Sequence, residues 1–384
     1  MRSFAVEIDD EVLDDLRDRL RRTRWSVEVP GTGWSRGVPV GVVREVVDHW
    51  LTAYDWTRVE RRLAAVPQLV TTIDGQRIHL VHARSAEPDA LPLLLTHGWP
   101  GSVLDHLDLV GPLTDPARSG GDPADAFHVV APSLPGSGFS TPLSGTGWDH
   151  VRIAQAWLTV MGRLGYEQFG AAGGDAGSVV SPWVGRLDPA RVIGVHVHGN
   201  LDVPEHLPGE RPDERARVDA GRERATTDGG YAALQSTRPH TLGHALADSP
   251  VGQLAWVLDK LHDWTDPARP PFGDVDLDDA LDLVVLYWVT GTAATSADLY
   301  FENRVAAPAP AGPSGVPTGV ALFPTDPMTR TAAAHDHHLV RWTEHTRGGH
   351  FAALEAPDVL VDELRAFFRP LRRPRASADR PSSH

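Results

Sequence analysis

The chain has 384 residues, of which 41% are hydrophobic and 23% charged, and it contains no cysteine; a sizeable core is expected, while a disulfide framework, thiolate metal sites and a cysteine nucleophile are excluded. Asp plus Glu number 51 against 36 Lys plus Arg, a net charge of −15, and this field repels phosphate backbones, so no nucleic-acid partner is expected. No apolar run reaches the roughly 18 residues of a membrane span, and the opening residues lack the basic-then-apolar order of a signal peptide, which predicts a soluble, cytoplasmic protein with no membrane partner.

Val12, Leu13, Leu16 and Leu20 fall at helical spacing, and a second helix is predicted over 40–53 with Val42, Val46, Trp50 and Leu51 on one face. Two short strands at 69–72 and 78–83 flank Asp74-Gly75, a tight-turn signal for a hairpin. From there short apolar runs at 91–96, 128–131, 169–172 and 192–197 are separated by helical stretches, with helices predicted at 153–162 and 179–187. That alternation is the pattern of buried parallel strands joined by crossover helices. Strand signals disappear between about 202 and 310, where 251–264 and 277–290 read as helices, and return at 320–324 and 338–342 before a last helix at 359–368. The expected architecture is an α/β fold with a mostly parallel central sheet, divided into an N-terminal region 1–75, a first core part 76–202, a helical insertion 203–312 and a second core part 313–372. The tail 373–384, rich in Arg, Pro and Ser, is expected to be loosely ordered.

The sharpest local feature is Gly173-Gly174-Asp175-Ala176-Gly177-Ser178 between a strand and a helix. It has the shape of a nucleophile elbow, in which small neighbours let strand and helix approach while the central side chain is held exposed above the sheet. A carboxylate there attacks carbon to give an alkyl ester that water then cleaves; read alone, Asp175 serves equally well as a helix N-cap. Gly33-Trp34-Ser35-Arg36-Gly37 matches the serine form of the elbow but has no preceding buried strand, so Ser35 is set aside. Hydrolysis also needs a base, an orienting acid and an oxyanion hole, in the chain order nucleophile, acid, histidine. His350 in Arg347-Gly348-Gly349-His350-Phe351 and Asp326 in Phe323-Pro324-Thr325-Asp326-Pro327 follow the two late strands in that order. The turn His97-Gly98-Trp99-Pro100-Gly101-Ser102 closes an early strand, and the backbone N–H groups of Trp99 and Ala176 are the candidate oxyanion donors.

With these motifs, and with Phe4 to Trp25, Pro132-Ser133-Leu134-Pro135-Gly136 and Asp248-Ser249-Pro250-Val251-Gly252, nearly the whole chain resembles the microsomal-type epoxide hydrolases of the α/β-hydrolase fold, the branch with an additional N-terminal region. The resemblance implies conversion of a small-molecule epoxide to a vicinal diol through an Asp175 ester, without a cofactor or metal. It also implies a cap domain supplying two phenols, here Tyr231 ahead of Gln235-Ser236-Thr237-Arg238-Pro239 and Tyr300 ahead of Phe301-Glu302-Asn303, and a substrate pocket at Trp99, Pro100, Phe139 and Trp148. A phenol can hydrogen-bond the opening ring oxygen while staying un-ionised at neutral pH. Tyr287, in an apolar helical context, reads as packing. A dehalogenase with the same Asp elbow would need halide donors in place of the phenols, and a non-catalytic binding protein on this scaffold would not need the full set of five side chains. Ala176 stands where the family usually has Trp and Ser137 where it has Tyr; both enlarge the pocket, and with the Gly-, Pro- and Arg-rich composition they point to an epoxide intermediate of bacterial natural-product biosynthesis. A homodimer is left open.

Two histidine groupings carry weaker signals. His196-Val197-His198 places both rings on one face of a strand, and His335-Asp336-His337-His338 reads as a solvated loop; neither offers a complete metal ligand set. The charged stretch 210–224 reads as an exposed cap segment.

Overall fold

The computed structural model describes residues 1–200, 202–307 and 313–372; the predicted tail 373–384 lies outside the described residues. Nine strands form one sheet: β1 (Arg2–Ser3), β2 (Gln68–Ile73), β3 (Gln76–Ala83), β4 (Leu91–Thr96), β5 (Phe127–Pro132), β6 (Phe169–Gly174), β7 (Val192–His198), β8 (Pro317–Leu322) and β9 (His338–Glu344). Their spatial order is β1-β2-β3-β5-β4-β6-β7-β8-β9. The first four strands in that order pair antiparallel and every later pair is parallel. This is the α/β-hydrolase arrangement, a mostly parallel twisted sheet covered by helices on both faces.

The β2–β3 hairpin closes where expected. Ile73 pairs with Gln76, and both turn residues take positive φ, 50° at Asp74 and 80° at Gly75, the turn handedness that matches strand twist. In the parallel strands alternate side chains enter two different cores. Leu93 and Leu95 of β4 pack with the helices Leu107–Thr114 and Pro357–Phe368, while Leu94 packs with His150–Arg163 and Ala176–Leu187. Leu93 and Leu94 have no exposed surface, which is why β4 reads as an unbroken apolar run; truncating either to Ala would cost about 2–5 kcal/mol.

Between β7 and β8 run the helices Pro212–Asp228, Gly230–Thr237, Pro239–Asp248, Pro250–Trp264, Leu277–Val289 and Ala293–Val305. The N-terminal helices Asp10–Arg21, Val40–Thr52 and Thr57–Ala64 pack against this inserted layer. An ion cluster joins them: Arg58 reaches Asp279 at 2.8 Å and Asp282 at 2.9 Å, Arg62 reaches the same two carboxylates at 3.2 and 3.3 Å, and the Tyr54 hydroxyl donates to Asp282 at 2.9 Å.

The structure refines several expectations. The buried face of the second helix is Val43, Val46, Val47 and Trp50, one position away from the predicted Val42 and Leu51, and Val12 of the first helix is exposed. β8 spans Pro317–Leu322, three residues earlier than predicted. The stretch 210–224 is not simply an exposed face, because Glu214 is buried and accepts the Thr331 N–H at 3.0 Å and the Thr331 hydroxyl at 2.9 Å, fixing the helix Pro212–Asp228 to the core. His335 and Asp336 end a short helix, Arg330–Asp336, in place of the predicted loop. Among the described residues no single helix is long and apolar enough to cross a membrane.

Candidate active site

Asp175 sits between the last residue of β6 and the helix Ala176–Leu187 with φ 51° and ψ −122°, a conformation that L-residues other than Gly rarely hold unless the surroundings enforce it. The neighbouring glycines make the turn possible. A Cβ on Gly177 would collide with the Thr96 backbone, and one on Gly98 would collide with the Asp175 side chain. β4 and β6 run side by side, so the Trp99 turn at the end of one meets the elbow at the end of the other.

That juxtaposition fixes the carboxylate. Asp175 Oδ1 accepts two backbone hydrogen bonds, from Trp99 N–H at 2.9 Å and Ala176 N–H at 2.7 Å, and Oδ2 lies 3.3 Å from His350 Nε2. Burial alone would raise the pKa of Asp175, but the hydrogen bond and charge of His350 and the two N–H groups outweigh it and hold the acid below its ordinary value. His350 is itself anchored by its backbone N–H to the Trp264 carbonyl at 2.8 Å, with the Trp264 ring 4.9 Å from the imidazole. The two elements adjoin so closely that a Cβ on Gly349 would press on the Trp264 carbonyl.

Asp326 is brought into the same neighbourhood, without a hydrogen bond to His350. Its Oδ2 accepts Phe323 N–H at 2.9 Å, while its Oδ1 and His350 Nδ1 are both buried with no hydrogen-bond partner among the described residues. The Gly199 backbone packs against His350, close enough that a Cβ there would stand 3.5 Å from Nδ1. Burial pushes the Asp326 carboxyl up to about 7, opposed by the Phe323 N–H and the charge of His350.

Tyr231 and Tyr300, on two different inserted helices, face each other with ring centroids 5.8 Å apart. Both meet Trp99, stacked at 5.5 Å for Tyr231 and edge-on at 5.8 Å for Tyr300. Burial, reinforced by the charge of Asp175, raises the pKa of both phenols, so they stay protonated at neutral pH. Two cavities flank the pair. One of about 210 Å³ is lined by Asp175, Ala176, His150 and Leu299 together with both tyrosines; one of about 440 Å³ is lined by both tyrosines, Arg224, Asp228 and Asp263. A third space of about 30 Å³, enough for a water molecule, lies beside Asp175 and His350 against His97, Asp105, His106 and His198.

Two family models match the chain, "Epoxide hydrolase N terminus" over residues 1–106 and "alpha/beta hydrolase fold" over 92–238. The "Putative epoxide hydrolase" of Stigmatella aurantiaca is 44% identical over 374 residues, covering 96% of this chain and 85% of that protein. "Epoxide hydrolase 1" of Sus scrofa is 31% identical over 403 residues, 96% of this chain and 88% of that one. The chain belongs to the epoxide hydrolase family. The solved structure of the Aspergillus niger epoxide hydrolase superposes with a TM-score of 0.84 at 30% identity, covering 96% of each chain.

Not every predicted pocket residue of this epoxide hydrolase reaches the cavities. Trp99 does, and Pro100 follows it in the same buried turn. Phe139 packs instead against Phe4 and His79, and Trp148 lies under Arg152 in the second core. Tyr287 is packing, as expected, its hydroxyl donating to the Gly101 carbonyl at 2.7 Å. His196 and His198 are buried, and among the described residues no group of three candidate ligands surrounds a metal position.

Two residues escaped the sequence reading. Lys260, the single lysine of the chain, is 2% exposed with its ammonium 4.9 Å from the Tyr231 ring centroid and 5.5 Å from that of Trp264, and it pairs with Asp263 at 2.9 Å and Asp259 at 3.0 Å. Its rarity was the available signal. The other is His150, at the start of the helix His150–Arg163, for which the sequence offers no signal.

Proposed function

We propose that this enzyme adds water to an epoxide in two steps through an ester on Asp175. The observation that carries the reading is a carboxylate held through one oxygen by two backbone N–H groups and facing two protonated phenols across a cavity of about 210 Å³. In the first step Asp175 Oδ2 attacks a ring carbon, the carbon–oxygen bond of the epoxide breaks, and Tyr231 and Tyr300 hydrogen-bond the leaving oxygen and supply its proton. The inserted helices act as a cap in this scheme because they bring both phenols to the ring oxygen.

In the second step a water, for which the 30 Å³ space beside His350 has room, gives a proton to His350 and adds to the Asp175 carboxyl carbon. The charge that builds on Oδ1 is met by the Trp99 and Ala176 N–H groups already directed at it, the role of an oxyanion hole. Collapse breaks the ester, the diol oxygen takes the proton from His350, and the remaining water proton restores the phenol. Asp326 would stabilise the imidazolium that this step requires. Before alkylation His350 is held by Asp175 itself, and ester formation releases it. The room left by Ala176 and the bacterial character of the composition support action on a biosynthetic epoxide intermediate.

Oxygen-18 water with enzyme in excess tests the scheme. The first-turnover diol should be unlabelled and the peptide containing Asp175 should gain the heavy isotope, since the diol takes its oxygen from the carboxylate. A labelled first-turnover diol with an unlabelled peptide would overturn the ester route.

A further inference from the structure

Among the polar side chains lining the cavity in front of Asp175, His150 is left unused by the reaction above. The backbone N–H of His150 donates to Asn303 Oδ1 at 3.0 Å, joining the helix His150–Arg163 to the helix that carries Tyr300. The imidazole lines the 210 Å³ cavity, and neither ring nitrogen has a hydrogen-bond partner among the described residues. Burial drives its pKa down to about 4, so at neutral pH the ring is uncharged, with one nitrogen donating and the other accepting.

The other walls offer little competition. Val179 and Leu299 are apolar, and Ala176 contributes only a methyl group. The Asn303 amide is satisfied by His150 N–H and by its own bond to the Leu299 carbonyl at 2.7 Å, and Asn200 Oδ1 is taken by Asp202 N–H at 2.8 Å. The remaining ionisable groups are the carboxyls of Asp175 and Asp202, which oppose an anionic substituent.

We infer that His150, across the space left by Ala176, forms a subsite for a hydroxyl substituent on the epoxide, so that the preferred substrates are short 2,3-epoxy alcohols. A hydroxyl group offers one donor and one acceptor, the complement of a neutral imidazole, whereas a hydrocarbon chain leaves the imidazole unpaired. The volume holds roughly seven water-sized groups, taking about 30 Å³ for each, which suits a chain of that order on this side of the tyrosines. The inference rests on the Asp175 ester scheme and assigns the substrate class to the same site.

The test compares 2,3-epoxyhexan-1-ol with 2,3-epoxyhexane, which differ only in the hydroxyl, by single-turnover alkylation in the native enzyme, His150→Phe and His150→Gln. The native enzyme should alkylate the alcohol at least tenfold faster at low substrate. His150→Phe, which keeps a ring but no polar atom, should erase that preference, and His150→Gln, which restores a donor and an acceptor, should recover part of it. A native preference below about threefold, a preference that survives in His150→Phe, or faster reaction of the corresponding 1-amino epoxide would each overturn the subsite. The native comparison decides even where a variant does not fold. Alkylation of Asp175 by both epoxides at equal rates would overturn the subsite alone, whereas failure of Asp175 to be alkylated by either would count against the ester scheme.

Discussion

The carboxyl of Asp326 is 3% exposed, and burial lifts its pKa from 3.8 to about 7. Because the folded value lies above the unfolded one, the native state holds a proton that the unfolded chain releases, and stability falls as pH rises from about 4 through about 7. Each pKa unit corresponds to about 1.4 kcal/mol. Between pH 5, where the native carboxyl is protonated, and pH 8, where it is ionised, the native protein should therefore lose about 3 kcal/mol relative to Asp326→Asn. The amide retains an oxygen to accept the Phe323 N–H. Asp105 and Glu355, also pushed up to about 7 by burial, are common to both proteins and cancel in the difference. With an unfolding entropy of about 2.1 cal/mol/K per residue, a chain of 384 residues shifts its Tm by about 1 °C per kcal/mol. Thermal melts of both proteins at pH 5 and pH 8 should thus show the advantage of Asp326→Asn growing by about 3–4 °C, while hydrolysis of the isolated ester slows by about 100-fold or more. A Tm difference that is the same at both pH values, or that favours the native protein at pH 8, would refute the reasoning.

Tyr231→Phe and Tyr300→Phe should each slow alkylation, by about 10–100-fold, and the double variant should nearly abolish it, as read by rapid-quench single turnovers; parent rates throughout would mean the phenols do not act on the ring oxygen. His350→Gln should alkylate and then stall, so intact-mass measurement should find enzyme plus one substrate, and its absence with binding preserved would count against a two-step path. Lys260→Met should lower stability by about 1–3 kcal/mol in denaturant titration, because it leaves Asp259 and Asp263 facing each other without a cation.

Much of this molecule was legible along the chain because its signals are local. The apolar run at 91–96 is β4 because helices cover both faces of that strand, and the elbow was readable because strand, small residues and helix occur within twenty residues. What could not be read is lateral. Nothing in the residues of β5 says that it inserts between β3 and β4. The helix Thr57–Ala64 went unpredicted because its Arg and Glu residues outnumber its two buried anchors, Val59 and Leu63. At the site, chain order anticipated that Asp326 and His350 would converge, but not that the Gly199 backbone would pack against the imidazole or that Asp326 Oδ1 would be left unpaired. Phe139 and Trp148, expected in the pocket, lie instead in the cores, where Phe139 packs on Phe4 and Trp148 under Arg152.

The helices above Asp175 are bolted at several points. On one side Arg58 and Arg62 clamp Asp279 and Asp282, and on the other His150 grips Asn303. For a roof fastened in this way to swing clear, these contacts must break. The flank is the alternative, where the larger of the two cavities flanking Tyr231 and Tyr300 runs beside Ala225, Asp228 and Ala232. If reactants pass there, bulk introduced at Ala225 or Ala232 would turn away large epoxides while small ones still pass.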